Sequence, residues 1–132
     1  MIMKGKVYLM GAGPGDPDLL TKQAVRVLRA AEVVLHDAQV SPEILELVPA
    51  SAQVRNVHKF GLPAGALQEK IRSLLISAAH DGHHVVRLRV NDLLPSARPD
   101  EEAEALAQAG IDFEVIRGAE SAMGAAAGVN SH

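Results

Sequence analysis

No cysteine occurs in this chain, which excludes disulfides, thiol catalysis and thiolate metal sites. Tryptophan is missing too, and aromatic residues amount to only 2%: Tyr8, Phe60 and Phe113. Proteins that hold single-stranded nucleic acid stack bases on aromatic side chains, and almost none are on offer here. There is no excess of basic charge either. The formal net charge is −3, which leaves no electrostatic footprint for nucleic acid. No apolar run approaches a membrane span, and the opening residues, Met1 to Lys4, lack the apolar core of a signal peptide. Together these absences lead us to expect a cytoplasmic protein with neither nucleic-acid nor membrane partners.

What remains is ordinary globular composition, 48% hydrophobic and 22% charged. A chain of 132 residues makes one domain and buries roughly two-thirds of the surface its unfolded form exposes. Its most informative stretch comes early. An apolar, β-prone run, Lys6 to Met10, stops at alternating glycines, Gly11, Gly13 and Gly15, followed by Asp16-Pro17-Asp18-Leu19-Leu20-Thr21. Glycine has no Cβ, so a ligand or another backbone can approach closely. Open α/β sheets bind their ligands at such turns, at the carboxyl ends of strands. A dinucleotide fingerprint would need glycine at position 16, where Asp16 would instead face a pyrophosphate with like charge. No Gly-Lys-Ser/Thr follows, so the turn is not a P-loop. A small nucleotide-binding α/β module fails on these two points.

Along the chain the hydrophobic period alternates between strand and helix. The pattern predicts strands over 7–10, 33–35, 53–57, 84–90 and 111–116. Helices are expected over 18–31, from Ser41-Pro42 to about Val48, over 66–80, over 101–109 and over 121–127. Ser41 supplies a capping hydroxyl with proline at the first helical position, and Pro49 stops that helix. Leu67, Ile71, Leu74, Leu75 and Ala78 should face inward, and Gly110 should close the helix before it. Residues 60–65 and 91–100 read as loops. Alternating strands and helices predict an α/β fold: a mostly parallel, five-stranded sheet with helices on both faces.

Several side chains could carry chemistry. Asp37 directly follows a buried strand, where carboxylates line the rim of ligand sites; taken alone, it is accounted for as a cap of the next turn. Lys59 lies beyond the third strand, where a lysine could bind an acidic substrate or donate a proton; alone, it is a solvated surface lysine. Glu101 and Glu102 suit the positive end of a helix without any function. Arg98 is not helped electrostatically there. His80, His83 and His84 match no zinc spacing, and we expect a solvated face and no metal.

Taken together, Gly11 to Thr21, Val40-Ser41-Pro42-Glu43-Ile44-Leu45 and Val85-Val86-Arg87-Leu88 resemble uroporphyrinogen-III C-methyltransferase, of the tetrapyrrole methylase family, from about Lys4 to about Ala127. The resemblance implies S-adenosylmethionine as methyl donor, a tetrapyrrole substrate, and a fold of two α/β domains with the active site in the cleft between them. Residues 1–132 match only the first, so the second domain is expected to be absent from this chain. Carried over position by position, the proton acceptor corresponds to Asp37 and the proton donor to Lys59, in Val57-His58-Lys59. Arg98 and Glu101 correspond to residues assigned to the substrate. The cofactor-contacting positions correspond to Pro14, Val90, Asn91, Asp92, Pro95, Glu120 and Ser121.

Two of those stretches depart from the family pattern. Where the family has Gly-Gly-Asp-Pro-Phe, this chain has Val90-Asn91-Asp92-Leu93-Leu94. Val90 brings a branched side chain to a place of bare backbone. Where the family has Pro-Gly-x-Thr-Ser/Ala, this chain has Arg117-Gly118-Ala119-Glu120-Ser121, and Glu120 faces a cofactor that carries its own carboxylate. The expectation is a methyltransferase domain with little or no activity alone. A non-catalytic relative that binds a tetrapyrrole or a partner is the alternative. Half of a two-domain fold exposes apolar surface, so a homodimer or other self-association is expected.

Overall fold

A computed structural model describes residues 5–11, 20–89 and 101–117. Its strands are β1 (Lys6–Gly11), β2 (Val33–His36), β3 (Gln53–Asn56), β4 (His84–Arg89) and β5 (Phe113–Arg117). Its α-helices are α1 (Lys22–Arg29), α2 (Pro42–Leu45), α3 (Ala64–His80) and α4 (Glu101–Gln108), with a 3-10 turn at Val57–Phe60. The strands form one parallel sheet in the order β3-β2-β4-β1-β5, which bears out the expected α/β architecture. The helix expected over 121–127 lies outside the described residues.

Successive side chains of a strand point to opposite faces, and two cores follow from that alternation. On one face Met10, Val34, Val86, Leu88 and Ile116 pack with Ala24 and Leu28 of α1 and Ile44 of α2. On the other, Val7, Leu9, Leu35 and Val85 pack with Ile71, Leu75 and Ala79 of α3 and Leu106 of α4. Both faces of the sheet are therefore covered, as near-continuous apolar strands require. The outward side of α1 carries Lys22, Arg26 and Arg29, the last two of which suit the negative end of the helix.

Local chemistry moved several boundaries. Thr21 is an extended cap whose Oγ1 accepts the N–H of Ala24 at 3.1 Å, so α1 begins at Lys22 instead of at 18. Ser41 caps α2 as its sequence predicts, its Oγ accepting the N–H of Glu43 at 3.2 Å. After Leu45 the chain tightens, with Leu47 and Val48 N–H groups donating to the carbonyls of Ile44 and Leu45, both at 3.1 Å. The side chain of Asn56 accepts the N–H of His58 at 3.0 Å, which ends β3 one residue early and turns Val57 into the 3-10 segment. Extended Pro63 then starts α3 at Ala64, two residues before the expected start, so the loop shrinks to 61–63.

Both long-range helix ends close in the same way. Gly110, at φ 73°, lets the N–H of Ile111 reach the carbonyl of Leu106 and its own N–H reach Ala107. Gly82, at φ 90°, does the same for His83 on Ala78 and for itself on Ala79. These are Schellman closures, which need a left-handed residue that glycine adopts without strain. Ile111 is thereby held in the turn, and β5 starts at Phe113 rather than at 111.

The amino end of the sheet is stitched together by backbone. Gly5 donates its N–H to the carbonyl of Ala79 at 3.0 Å and lies directly on the turn before β4. A Cβ on Gly5 would overlap the carbonyl oxygen of His83 and stand 2.7 Å from its nitrogen and 2.9 Å from the carbonyl oxygen of Ala79. Glu32, just before β2, accepts the backbone N–H of His84 at 2.8 Å and approaches His83 Nδ1 at 3.7 Å. That backbone hydrogen bond, helped by His83, holds the Glu32 carboxyl below its usual range. Lys6 and Glu114 pair at 2.9 Å across β1 and β5, which raises the lysine and lowers the glutamate.

Gly5→Ala is expected to destabilise the fold by about 1–3 kcal/mol, because the overlap is with backbone that cannot rotate away; urea denaturation with an unchanged m-value checks this. Glu32 has a depressed folded-state value, so its contribution is present above the ordinary carboxylate value of 4.5 and disappears as pH falls through the lowered one. The urea midpoint of Glu32→Gln should therefore lie below that of the wild type at neutral pH and converge with it under acidic conditions.

Candidate functional site

The connection leaving β4 leads to α4, which packs on the α3/α4 face. Those leaving its neighbours β1 and β2 lead to α1 and α2 on the opposite face. Adjacent strands whose exits diverge in this way leave a crevice outside their carboxyl ends. The strand ends there are level: Gly11 pairs with Arg89 on one side and with Arg117 on the other. The carboxyl ends of β4, β1 and β5 thus stand side by side, spaced by about 4.8 Å, and the segments after them begin at residues 12, 90 and 118 of the sequence. They contain Pro14, Val90, Asn91, Asp92, Pro95, Arg98, Glu120 and Ser121, all of which lie outside the described residues.

Asp37 stands at this edge. Its backbone N–H donates to the carbonyl of Leu88 at 3.1 Å, which prolongs the β2–β4 ladder by one residue. Its Oδ1 accepts from Arg87 Nη2 at 3.0 Å, and the side chain is 15% exposed. Arg87 comes from the middle of β4, the central strand, and is only 3% exposed. Its Nη1 donates to the carbonyls of Leu35 and Leu88, both at 3.3 Å. Its Nε lies 3.2 Å and 3.3 Å from the two oxygens of Glu102, a carboxylate that is likewise 3% exposed. Arg89 follows two residues later on the same face, with Nη1 3.7 Å from Glu102 Oε1.

Burying ions is expensive unless each finds opposite charge and hydrogen bonds. Here two cations and two carboxylates meet in one cluster, with strand carbonyls taking further donors. Glu101 and Glu102, adjacent in sequence, diverge. Glu102 points inward to Arg87, whereas Glu101 is 77% exposed and stands 4.0 Å from Arg72 of α3. A helix start explains both carboxylates in the sequence; only packing singles out Glu102.

Lys59 is exposed and belongs to the 3-10 turn after β3. The preceding residue, His58, accepts the N–H of Ala38 through Nδ1 at 3.1 Å. The bond ties the turn bearing Lys59 to the residue after Asp37, and the two candidates therefore sit on adjoining loops at the same end of the sheet. Buried His36 donates from Nδ1 to the carbonyl of Asp37 at 2.8 Å, which steadies the same loop. His83 and His84 are occupied at the opposite end, by Glu32 and by an edge-on contact of His84 with Tyr8. Among the described residues no group of His, Asp and Glu is arranged to hold a metal ion.

Sequence reasoning found Asp37 and missed its partners. The signal for Arg87 was an arginine inside the apolar run Val85-Val86-Arg87-Leu88, since a cation in a buried strand demands a carboxylate.

The same architecture recurs in known proteins. A family model described as Tetrapyrrole (Corrin/Porphyrin) Methylases matches residues 6–132. A siroheme synthase of Hahella chejuensis is 46% identical over 123 residues, covering 93% of this chain and 26% of that protein. A crystal structure of uroporphyrin-III C-methyltransferase from Thermus thermophilus matches with a TM-score of 0.75 at 46% identity, covering 97% of this chain and 54% of that one. A Thermus thermophilus uroporphyrin-III C-methyl transferase complexed with S-adenyl homocysteine matches with a TM-score of 0.70 at 40% identity, covering 87% of this chain and 48% of that one. The chain thus spans about a quarter of the siroheme synthase and about half of the two solved enzymes. With the family model matching from β1 to the last residue, the chain belongs to the tetrapyrrole (corrin/porphyrin) methylases.

Proposed function

We propose that residues 1–132 form the first domain of an S-adenosylmethionine-dependent C-methyltransferase acting on uroporphyrinogen III, in the synthesis of sirohaem or cobalamin precursors, in the cytoplasm. The observation that carries this reading is the level ending of β4, β1 and β5, beside the buried ion cluster of Arg87, Asp37 and Glu102. The relative complexed with S-adenyl homocysteine supports it. Gly11 is buried and offers bare backbone at the centre of the crevice, which suits a cofactor lying against the strand ends.

S-adenosylmethionine would supply a methyl group on a sulfonium, which is electrophilic without further activation. The protein's task is to align it with the substrate carbon and to handle the proton that the methylated carbon loses. Asp37, partly exposed at the rim, takes the part of proton acceptor, and exposed Lys59 that of proton donor. Arg98 and Glu101 serve the acidic substrate. Pro14, Val90, Asn91, Asp92, Pro95, Glu120 and Ser121 surround the cofactor.

Val90 and Glu120 weaken that site. The isolated chain accordingly has little or no methyltransferase activity. The same two residues favour a second reading, a non-catalytic relative that binds a tetrapyrrole or a partner.

Calorimetry with S-adenosylmethionine tests the proposal. The chain should bind more weakly than micromolar, and the variant Val90→Gly, Asn91→Gly, Glu120→Thr should bind at least about tenfold more tightly, or about 1.4 kcal/mol. Absence of binding by both, together with binding of a tetrapyrrole, selects the second reading; micromolar binding by the wild type overturns the weakened site. Exposed Val54, Leu62 and Val115 add apolar surface near the two edge strands and after the 3-10 turn. We therefore expect a dimer or larger species, and light scattering that gives a strict monomer at high concentration would contradict this.

A further inference from the structure

A guanidinium keeps its charge at any depth in a protein, so the one in the middle of β4 has to be held by fixed partners. Arg87 satisfies that need from several elements at once. Nε meets Glu102 of α4, Nη1 meets carbonyls of β2 and β4, and Nη2 meets Asp37 after β2. The guanidinium is planar and rigid, so fixing Nε and Nη1 also fixes where Nη2 points. Well-packed apolar side chains would serve stability as well as a buried ion cluster or better. The rest of the sheet interior is built that way, from Val7, Leu9, Leu35 and Val85. The exception stands at the carboxyl end, beside the crevice.

We propose that Glu102 and Arg87 are positioning residues for Asp37. Glu102 sets the plane of the Arg87 guanidinium, and Arg87 in turn sets the orientation of the Asp37 carboxylate at the mouth between β2 and β4. The role assigned to the carboxylate rests on Asp37 as the proton acceptor of the proposed methyl transfer. The geometric coupling from Glu102 through Arg87 to Asp37 does not. Because Glu102 lies in the first turn of α4, the coupling also links the connection between β4 and α4 to the end of β2. Arg89 shares the Glu102 carboxylate and helps balance its charge.

The test uses carbon-13-labelled aspartate and nitrogen-15-labelled arginine in the whole chain, compared by NMR for the wild type, Glu102→Gln and the charge-conserving Glu102→Asp. In Glu102→Gln the Asp37 carboxyl resonance should move and Arg87 guanidinium N–H exchange should speed up at least about tenfold, while the amides of β1 and α3 stay in place. Glu102→Asp, which keeps the charge but withdraws it by one methylene, should give a smaller change of the same sign and serves if the glutamine variant does not fold. An Asp37 resonance unmoved in the folded variants overturns the proposal. A second arm reads methyl transfer with the facing half of the cleft supplied. There Glu102→Gln should lower kcat about tenfold or more with the KM for S-adenosylmethionine within about twofold, and should cost nothing further in an Asp37→Asn background. A wild type that transfers no methyl group in that arm defeats the methyltransferase reading, while the NMR arm still decides the positioning.

Discussion

A permanent cation in the central strand of a parallel sheet is the constraint around which the carboxyl end of this domain is arranged. Arg87 must be met by opposite charge and by acceptors, because its own desolvation cost is several kcal/mol. Its partners come from the end of β2, the carbonyls of β2 and β4, and the first turn of α4. The two carboxylates come from different elements, Asp37 from the end of neighbouring β2 and Glu102 from α4. One side chain thereby imposes the placement of Asp37 and Glu102 together.

The two ends of the sheet divide their labour. At the amino end the strands are joined by backbone and short turns: Gly5 on Ala79, Val7 on Asp112, Glu32 on His84, and a glycine closure after each of α3 and α4. Little there is free to change without strain. At the carboxyl end, neighbouring strands stop level and lead to helices on opposite faces, the arrangement that leaves a crevice in open α/β sheets. The charged cluster of Arg87, Asp37 and Glu102 lies at that end, whereas the amino end is held by backbone and short turns.

Much of the fold could be read along the chain, since alternating periods of two and 3.6 report directly on buried faces. The Ser41-Pro42 start of α2 and the Gly110 closure of α4 appeared as their residues predicted, while on α3 Ile71 and Leu75 are buried as expected, with Ala79 rather than Ala78. Three of the misplaced boundaries were decided by a single side chain or a single proline: Thr21 capping α1, Asn56 ending β3, Pro63 starting α3. Such caps compete locally with the helix or strand that they end, and periodicity does not register them. In the candidate site, Asp37 was visible from its position after a buried strand. Glu102 was not, because a carboxylate in a first helical turn already has a sufficient local explanation.

What the sequence determined by itself is therefore the class of the fold, the absence of thiol chemistry, and the family likeness carried by Gly11 to Thr21 and the stretches that accompany it. These are properties of composition, period and order along one chain. The tertiary structure alone decided that Glu102 turns inward while Glu101 faces Arg72, that Arg87 reaches Asp37, and that His58 draws the Lys59 turn toward the end of β2. Each of these joins residues from different elements. The physical reason is burial: whether a charged side chain must find a partner depends on its depth, and depth exists only once the sheet and its helices have packed.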